Sequence, residues 1–410
     1  TTNTTTNTTA VPPPRRQSSP PARHALFHES RDGLVARIAE ACGAPPVPGT
    51  EAAERCGDCA EYARGLWFDE AAEAAAEGGK CGNSTDLDDP RIVWFHSYWT
   101  GKMGPVPWLS VKSFMCTQKS ACYKLTVWTM SLMEKPEKFL KESILFQGVK
   151  EYEVVGAGDD IEIRLFDGRV VFRHLKKELF DNEDHEIRYP KALWDAMKPE
   201  FSDSVRFVVL RRYGGVYFDA DVFFLRSLTP LLEMPIDWAY RWSNTNQLNT
   251  AVLRIRKGSE LMPHLFFKGR TFHPHALSTS CLADKFCKNN FVQLPCSWFD
   301  PIWTTIDGVC DAKLPGFPTW MTKFMDFMMK PAPKEGLGLM NETVLLPEEL
   351  RNPLEEGESP QVYQRLFPGA FAFHWHNGYK QGIARGSLAD ILRREMNECN
   401  SFVELPPPME

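Results

Sequence analysis

Two carboxylates lie inside one of the most apolar stretches of the chain. The stretch RRYGGVYFDADVFF, residues 211–224, places Asp219 and Asp221 among aromatic and β-branched residues. An ionised carboxylate that is buried without a partner is strongly destabilising, so apolar strands normally exclude it. A fold that buries this stretch must therefore supply positive charge to both groups.

The pattern around these carboxylates predicts a cation site. The segment VYFDADVFF has the composition of a strand, and a period of two places Tyr217, Asp219 and Asp221 on one side of it. Two neighbouring carboxylates can share a divalent cation directly or through water, and their oxygens suit hard metals such as Mn²⁺ or Mg²⁺. A cation held in this way can bind a diphosphate and neutralise it as it leaves.

The residues before the carboxylates predict a helix. Ser202 or Asp203 can cap it, it runs to Arg212, and the two glycines that follow can end it. Asp203 and Arg206 are three positions apart and share a helical face. The pair is either an ion pair within the helix or a carboxylate and a guanidinium directed at sugar hydroxyls and phosphate.

A second D-x-D triplet serves as an internal control. Asp86 and Asp88 lie in a polar loop, without the preceding helix, the two glycines or the apolar strand. We therefore expect no functional role for this pair.

Strand and helix patterns alternate after residue 90. Strands are predicted within 91–101, 124–130 and 161–166, and helices near 135–147 and within 190–215, with a break at Pro199. This alternation predicts an α/β fold with a largely parallel sheet. Ligands of such sheets bind beyond the carboxyl ends of the strands.

Composition divides the chain into four parts. Residues 1–25 are rich in Thr, Ser and Pro and predict a disordered stem. Residues 26–89 predict short helices that carry four cysteines, residues 90–400 form the α/β domain, and residues 401–410 are a tail. The net charge of −6 and the absence of a basic block disfavour nucleic acid or an anionic membrane surface as the main partner.

The cysteines and sequons indicate the secretory pathway. The eleven cysteines are clustered, which suits disulfides in an oxidising compartment. A four-thiolate zinc site is the alternative for Cys42, Cys56, Cys59 and Cys81. Four N-x-[ST] sequons agree with a secretory location and begin at Asn3, Asn7, Asn83 and Asn341. The sequence has no apolar run of membrane-spanning length and begins with Thr, so we expect any signal or anchor to precede it.

The segment SDSVRFVVLRRYGGVYFDAD, residues 202–221, resembles the sugar-binding DxD region of glycosyltransferase family 32. This family includes Golgi α-1,4-galactosyltransferases and fungal α-1,6-mannosyltransferases. The shared pattern is S-D-x-x-R, an apolar helix, G-G-[IV]-Y and then D-x-D. Two further segments, 95–101 and 370–382, are similar to a first strand that ends in W-x-G and to a final H-x-W loop. The resemblance covers about residues 90–400.

The resemblance implies a GT-A type fold, in which a Rossmann-like nucleotide-sugar domain has a mainly parallel central sheet. Here a small helical region that bears cysteines precedes that domain. The implied cofactor is Mn²⁺, with Mg²⁺ as the alternative. Asp221 and His374 are the implied metal ligands, with His376 as the second choice for the imidazole. Asp219 contacts the cation through water or holds the ribose.

The resemblance also implies substrate contacts. Asp203 and Arg206 orient the sugar, and together with Asp219 and Asp221 they form the expected catalytic set. The remaining expected substrate-binding residues are Trp99 on the nucleotide base, Tyr217 beside the nucleotide, Asn249 on the transferred sugar, and Trp375 in the final loop. Asp284 and Asp300 lie in segments expected on the acceptor side.

The predicted activity is retaining transfer of a hexose, with formation of an α-linkage. The expected donor is a nucleotide sugar, with UDP-hexose favoured over GDP-mannose, and the acceptor is a glycan, glycolipid or glycoprotein. The expected location is the Golgi or another secretory lumen, with a type II membrane anchor outside the given sequence. The alternatives are a nucleotide-sugar-binding protein without transfer activity and a secretory metal-dependent phosphohydrolase.

Overall fold

The structure is a computed structural model that describes several parts of the chain. These parts are residues 31–43, 56–66, 81–134, 136–145, 148–180, 199–243, 245, 247–266, 281, 284–301, 369–376, 392–393 and 396. The predicted stem, the tail and the sequons at Asn3, Asn7 and Asn341 lie outside them. Among the described helices, none combines the length and the apolar composition needed to cross a membrane.

Eleven strands are present in the described residues. They are β1 (Val93–Tyr98), β2 (Tyr123–Thr129), β3 (Tyr152–Val155), β4 (Glu162–Leu165), β5 (Val170–His174), β6 (Gly215–Phe218), β7 (Val222–Phe224), β8 (Asp237–Arg241), β9 (Leu248–Ile255), β10 (Phe291–Leu294) and β11 (Ala372–His374). The α-helices are Arg31–Cys42, Cys56–Gly65, Pro105–Thr117, Ser131–Glu134, Pro136–Phe139, Pro199–Tyr213, Thr229–Leu232, Leu261–Phe266 and Lys285–Asn290. A π-helical turn, Leu140–Ile144, and 3₁₀ turns at Gly158–Asp160, Lys177–Leu179 and Cys296–Trp298 complete the described elements.

Nine strands form one sheet in the order β10-β8-β9-β6-β1-β2-β5-β4-β3, and β7 and β11 form a second sheet. Pairs β10/β8, β6/β1, β1/β2 and β2/β5 are parallel. Pairs β8/β9, β9/β6, β5/β4 and β4/β3 are antiparallel, so β9 and β4 alone run against the other described strands of this sheet. The predicted α/β class with a mainly parallel sheet is confirmed.

Helices cover both faces of the sheet, and alternation along β1 shows why. Phe95 packs in the core cluster that contains the helix Pro105–Thr117. Trp94 and Tyr98 belong to a second cluster, which contains the helix Pro199–Tyr213. Because helices cover both faces, β1 and β2 are buried along nearly their whole length.

The helical N-terminal region is joined to the sheet domain. Cys42 and Cys59 form a disulfide between the first two helices, and Cys81 pairs with Cys122 next to β2. These bonds support the disulfide interpretation and exclude a zinc site that uses all four of the N-terminal thiolates. Cys296 is also buried, and its thiol lies 4.0 Å from the carbonyl oxygen of Asp300.

Candidate active site

The two carboxylates of the apolar stretch lie in a turn. β6 ends at Phe218 and β7 begins at Val222. The amide of Asp219 donates to the carbonyl of Ala251 on β9 at 2.9 Å, and the carbonyl of Asp219 accepts from the amide of Val222 at 2.9 Å. The expected continuous strand, with Asp219 and Asp221 on one side, is wrong because the chain turns here and leaves the large sheet.

The strand β11 brings an imidazole to this turn. It runs antiparallel to β7, with His374 opposite Val222. The amide of Trp375 donates to the carbonyl of Asp221 at 2.9 Å, which fixes the end of β11 against the turn. His374 Nε2 consequently lies 3.6 Å from Asp221 Oδ1.

Asp219, Asp221 and His374 form a ligand set that fits a cation. One ligand atom from each of the three side chains lies within 4.8 Å of the others. Two carboxylate oxygens and an imidazole nitrogen suit Mn²⁺, and the oxygens also suit Mg²⁺. The side chains of Asp221 and His374 are nearly buried, whereas that of Asp219 is 23% exposed. A small molecule can therefore approach this set of side chains from the side of Asp219.

Arg206 links the helix to the turn. Its buried guanidinium donates from Nη2 to Asp203 at 2.8 Å and to Asp219 at 2.9 Å, and from Nη1 to the hydroxyl of Thr250. Arg206 also lies over the ring of Tyr217, with its Cζ 5.2 Å from the ring centroid. The guanidinium thus provides the positive partner that the sequence required for Asp219.

The helix begins earlier than expected. It starts at Pro199, so Ser202 and Asp203 lie within its first two turns and the prediction that one of them caps it is wrong. Pro at the first position of a helix loses no hydrogen bond, and its fixed φ suits the helical backbone. Asp203 is 18% exposed and remains beside Arg206, as the spacing of three predicts.

The pKa values in the ligand set depend on burial and on the neighbouring charges. Burial raises the pKa of Asp219 to about 6, Arg206 opposes the shift, and Asp221 adds to it. Burial by itself lowers the pKa of His374, but the nearby carboxylates, chiefly Asp221, outweigh it, so the pKa is raised. The set therefore attracts positive charge, which either a proton or a cation can supply.

Three more polar side chains surround His374. Tyr240, on β8, places its hydroxyl 2.9 Å from Nδ1. Asp300 Oδ2 lies 3.9 Å from the same nitrogen and 2.5 Å from His376 Nε2. Burial lowers the pKa of His376, and the charge of Asp300 partly opposes the shift.

Asn249 lies close to this group. It is the register partner of Tyr240 across the β8/β9 ladder, and directly paired residues have side chains on the same side of a sheet. Its Oδ1 accepts from the amide of Ala251 at 2.9 Å. Its Nδ2 is buried and makes no hydrogen bond within the described structure. A buried donor of this kind can be satisfied by a bound polar group.

The other predicted substrate-binding residues differ in accessibility. Trp99 follows β1, is partly exposed and donates from Nε1 to the carbonyl of Lys102 at 3.1 Å. Tyr217 is buried beneath Arg206. Trp375 is buried against Phe223, with 5.8 Å between the ring centroids. Trp99 alone of these three predicted contacts has a surface open to a ligand.

The two acidic residues expected on the acceptor side are in different environments. Asp284 caps the helix Lys285–Asn290 by accepting from the amide of Cys287 at 2.9 Å. Its carboxylate also lies 3.2 Å from His264. Asp300 is 2% exposed and contacts His376. Asp284 therefore has a structural role in capping, and Asp300 belongs to the group around His374.

The D-x-D control triplet has a different environment. Both its carboxylates are exposed, and Asp88 pairs with Arg212 at 3.0 Å and Lys257 at 2.8 Å. These bonds lower the pKa of Asp88. Asp86 accepts from the amide of Asp88 at 2.9 Å. Solvent and two basic side chains therefore compensate the negative charge of this pair.

All the groups described around the turn lie at one edge of the sheet. Asp219 follows β6, Trp99 follows β1, Tyr240 is near the end of β8, and Asp300 follows β10. Because β9 is antiparallel, its early residue Asn249 lies at the same edge. This edge carries the carboxyl ends of the parallel strands, where ligands of α/β sheets bind.

Comparisons with known proteins find similarity to glycosyltransferases. Residues 111–237 match the family described as "Glycosyltransferase sugar-binding region containing DXD motif". A search of curated proteins finds no match. Solved structures with similarity include "PaToxG Glycosyltransferase", with 14% identity over 56% of this chain and 83% of that chain, at a TM-score of 0.35.

Two other similar structures match only part of a longer protein. The WbbM bifunctional glycosyltransferase shares 13% identity over 51% of this chain and 40% of its own length, at a TM-score of 0.33. The glycosyltransferase GlyE of Streptococcus pneumoniae TIGR4 shares 12% identity over 50% of this chain and 46% of its own, at a TM-score of 0.28. The family match includes both Asp219 and Asp221. The part of the chain that carries the D-x-D turn is therefore similar to a glycosyltransferase sugar-binding region of the DXD type.

Proposed function

We propose that this chain is a metal-dependent retaining glycosyltransferase that moves a hexose from a nucleotide sugar to a glycan, glycolipid or glycoprotein. UDP-hexose is the favoured donor and GDP-mannose the alternative, and the product is an α-linkage. The main support is that Asp219, Asp221 and His374 place ligand atoms within 4.8 Å of one another in and beside the matched DXD region.

In this proposal Asp221 and His374 hold Mn²⁺ or Mg²⁺, and Asp219 contacts it through water or binds the ribose. When bound, the cation supplies positive charge that stabilises the departing nucleoside diphosphate. Arg206 holds the carboxylates of Asp203 and Asp219 in fixed positions through its Nη2. Fixed positions reduce the entropy that must be lost when the donor reaches its reactive geometry.

The remaining residues bind and orient the donor. Asp203, partly exposed beside Arg206, accepts a hydrogen bond from a sugar hydroxyl. The buried amide of Asn249 donates to the transferred sugar, which satisfies a nitrogen that otherwise makes no hydrogen bond in the described structure. Trp99 offers its partly exposed ring to the base, and Tyr217 and Trp375 support the site from beneath.

The proposed reaction retains the anomeric configuration. The acceptor oxygen attacks the anomeric carbon from the face of the leaving group and forms the new glycosidic bond. The bond between that carbon and the phosphate oxygen breaks, and the acceptor proton moves to an oxygen of the leaving diphosphate. This sequence requires no protein nucleophile.

We also propose a lumenal location in the secretory pathway, in the Golgi or a neighbouring compartment, with a type II anchor. The disulfides Cys42–Cys59 and Cys81–Cys122 support an oxidising compartment.

The first prediction concerns the D-x-D carboxylates. Asp221→Asn keeps the size of the side chain and removes its charge, so we expect Mn²⁺-dependent release or transfer of sugar from a panel of UDP- and GDP-sugars to fall at least ~100-fold. EDTA should abolish the activity of the wild-type protein, and added Mn²⁺ should restore it.

The matched control is Asp86→Asn, which makes the same change in the exposed triplet. It should retain wild-type activity. Full activity of Asp221→Asn, or activity that is insensitive to EDTA, would contradict the metal assignment. Donor binding without turnover would indicate the binding-protein alternative, and cleavage of simple phosphate esters would indicate the phosphohydrolase.

A further inference from the structure

We propose that Tyr240, Asp300 and His376 form an outer shell that fixes the tautomer and orientation of His374, with Nε2 directed at the cation beside Asp221. This inference rests on the proposed function, because it assumes that a cation binds to the D-x-D set. It assigns positioning roles to three residues that the DXD pattern does not include.

The two nitrogens of His374 face different partners. Nε2 lies 3.6 Å from Asp221, and Nδ1 lies 2.9 Å from the hydroxyl of Tyr240. A nitrogen binds a metal only through an unprotonated lone pair, so the ring proton must lie on Nδ1 when Nε2 is the ligand. The oxygen of Tyr240 is then in position to accept that proton in a hydrogen bond.

Tyr240 is held rigidly. It is buried on β8, between β9 and β10, and its ring stacks on Phe299 with 5.2 Å between the centroids. The hydroxyl cannot follow His374 if that ring rotates. A partner with little freedom of movement selects one orientation of the imidazole, as outer-shell groups do at metal sites.

Asp300 contributes negative charge behind the imidazole. Its carboxylate is 2% exposed and lies 3.9 Å from His374 Nδ1, which favours a proton on that nitrogen. His376 Nε2 donates to the same carboxylate at 2.5 Å and so partly compensates for its burial. The environment of Asp300 differs from the expected acceptor-side position, because a buried carboxylate cannot meet an acceptor hydroxyl.

His376 is placed by the backbone. Its φ of 46° is in the left-handed region, and this turn brings its ring to 3.9 Å from that of His374, measured between centroids. The ring of Trp242 also contacts that of His376, nearly at a right angle and with 5.3 Å between the centroids. His376 therefore holds the Asp300 carboxylate close to His374.

An alternative use of the same residues is a second cation site. Asp300, His374 and His376 also place ligand atoms within 4.8 Å of one another. Two ligand atoms that bind one ion at about 2.1 Å each normally lie about 3 Å or more apart. The 2.5 Å between Asp300 and His376 is instead a hydrogen-bond distance, which favours the outer shell.

The test measures Mn²⁺ binding directly. Tyr240→Phe removes one oxygen and Asp300→Asn one charge, and we expect each to raise the Kd for Mn²⁺ by about 10- to 100-fold. Free Mn²⁺ would be counted by electron paramagnetic resonance during a titration of the purified chain without a donor. The wild type should bind one tightly held ion per chain.

The matched control is Tyr123→Phe. Tyr123 is another buried tyrosine, on β2, and the substitution removes its hydroxyl, which lies 3.0 Å from the hydroxyl of Thr229. It should leave the Kd unchanged, and melting curves of all three variants establish that the fold is retained.

Wild-type affinity in both Tyr240→Phe and Asp300→Asn would overturn the inference while leaving the proposed function intact. Two ions per wild-type chain, one of them lost in His376→Gln, would overturn it in favour of a second site. A wild-type chain that binds no Mn²⁺ would overturn the proposed function and this inference together.

Discussion

At the scale of single residues, His96 shows how a polar group is accommodated in the centre of the sheet. It is fully buried on β1, with Nε2 2.9 Å from the carbonyl of Gly214 and Nδ1 3.2 Å from the indole nitrogen of Trp128. The carbonyl can only accept and the indole can only donate, so the proton lies on Nε2. A second proton on Nδ1 would leave the indole without its acceptor.

This arrangement predicts a pH dependence of stability. Burial lowers the pKa of His96 to about 3, whereas an imidazole in an unfolded chain titrates near 6.5. Below about pH 6.5 the unfolded state therefore binds a proton that the folded state does not, and the free energy of unfolding falls by up to ~1.4 kcal/mol per pH unit. Urea unfolding at pH 7.5, 6.0 and 5.0 would show this fall.

The variant His96→Gln lacks the titrating group and serves as the reference. Its free energy of unfolding should be lower at pH 7.5 but should depend less on pH than that of the wild type. Equal slopes in the two proteins would mean that His96 does not contribute.

The sequence predicted some residues of the candidate site and missed others. Asp219 and Asp221 were identified because charge in an apolar stretch is conspicuous. Tyr240 was missed, because a tyrosine near the end of a strand is an ordinary core residue until β11 brings His374 beside it. Asp300 was noticed, but its burial could not be inferred, because it depends on contacts between distant segments.

At the scale of elements, the junction between the helix Pro199–Tyr213 and β6 depends on glycine. Gly214 and Gly215 have φ values of 68° and 104°. A Cβ atom at Gly215 would lie 2.1 Å from the carbonyl oxygen of Trp94 on β1. The close approach lets β6 pair with β1 immediately after the helix ends, and this fixes where the D-x-D turn begins.

Gly215→Ala should therefore be costly. We expect it to lower the free energy of unfolding by about 2–4 kcal/mol, because either the backbone or β1 must move. Urea unfolding measures this loss.

The matched control is Gly258→Ala, with φ at 71° and no atom within 4 Å of the added carbon. An alanine at this position has the cost of a positive φ but no close contact with the backbone. The free energy of unfolding should therefore fall by about 1–2 kcal/mol. Equal losses at the two positions would show that the approach to Trp94 is unimportant.

The elements themselves were largely predictable. The strands β1, β2 and β4 follow from apolar patterns, whereas the predicted helix before Pro199 lies outside the described residues. The division of 216–224 into β6 and β7 did not follow from pattern. A strand that continues and a strand that turns have the same apolar composition, and only pairing with β9 and β11 separates them.

At the scale of the whole molecule, the N-terminal helices brace the segment that carries Asp300 and the chain that follows β7. Trp298 donates from its indole nitrogen to Cys59 Sγ at 3.1 Å. Arg226 donates to the carbonyls of Ala63 and Leu66, at 2.8 Å each. The small helical region is therefore packed on the sheet domain beside the site.

Loss of the Cys42–Cys59 bond should loosen this brace. Its 17-residue separation predicts that the double variant Cys42→Ser/Cys59→Ser loses about 3 kcal/mol of stability. The shorter loop of Cys281–Cys287, with a separation of 6, predicts about 2 kcal/mol for its double variant. Denaturant unfolding of both double variants tests whether the Cys42–Cys59 variant loses more stability. A larger loss of stability in the Cys281–Cys287 variant would contradict the prediction.

The overall class of the fold was predictable, but its topology was not. Alternating strands and helices indicate a parallel sheet, and most described strands of the large sheet do run in one direction. The reversed strand β9 and the order of the strands depend on pairings between residues far apart in sequence. No local pattern encodes those pairings.

The pairing of β11 with β7 has a consequence for synthesis. The last described strand of the large sheet, β10, ends at Leu294, so a ribosome completes the described strands of that sheet and the acidic turn 80 positions before it delivers the imidazole of His374. A polypeptide that terminates prematurely inside that interval lacks the imidazole of the proposed ligand set, however well its earlier portion folds. The proposed activity would thus report on whether translation ran through β11.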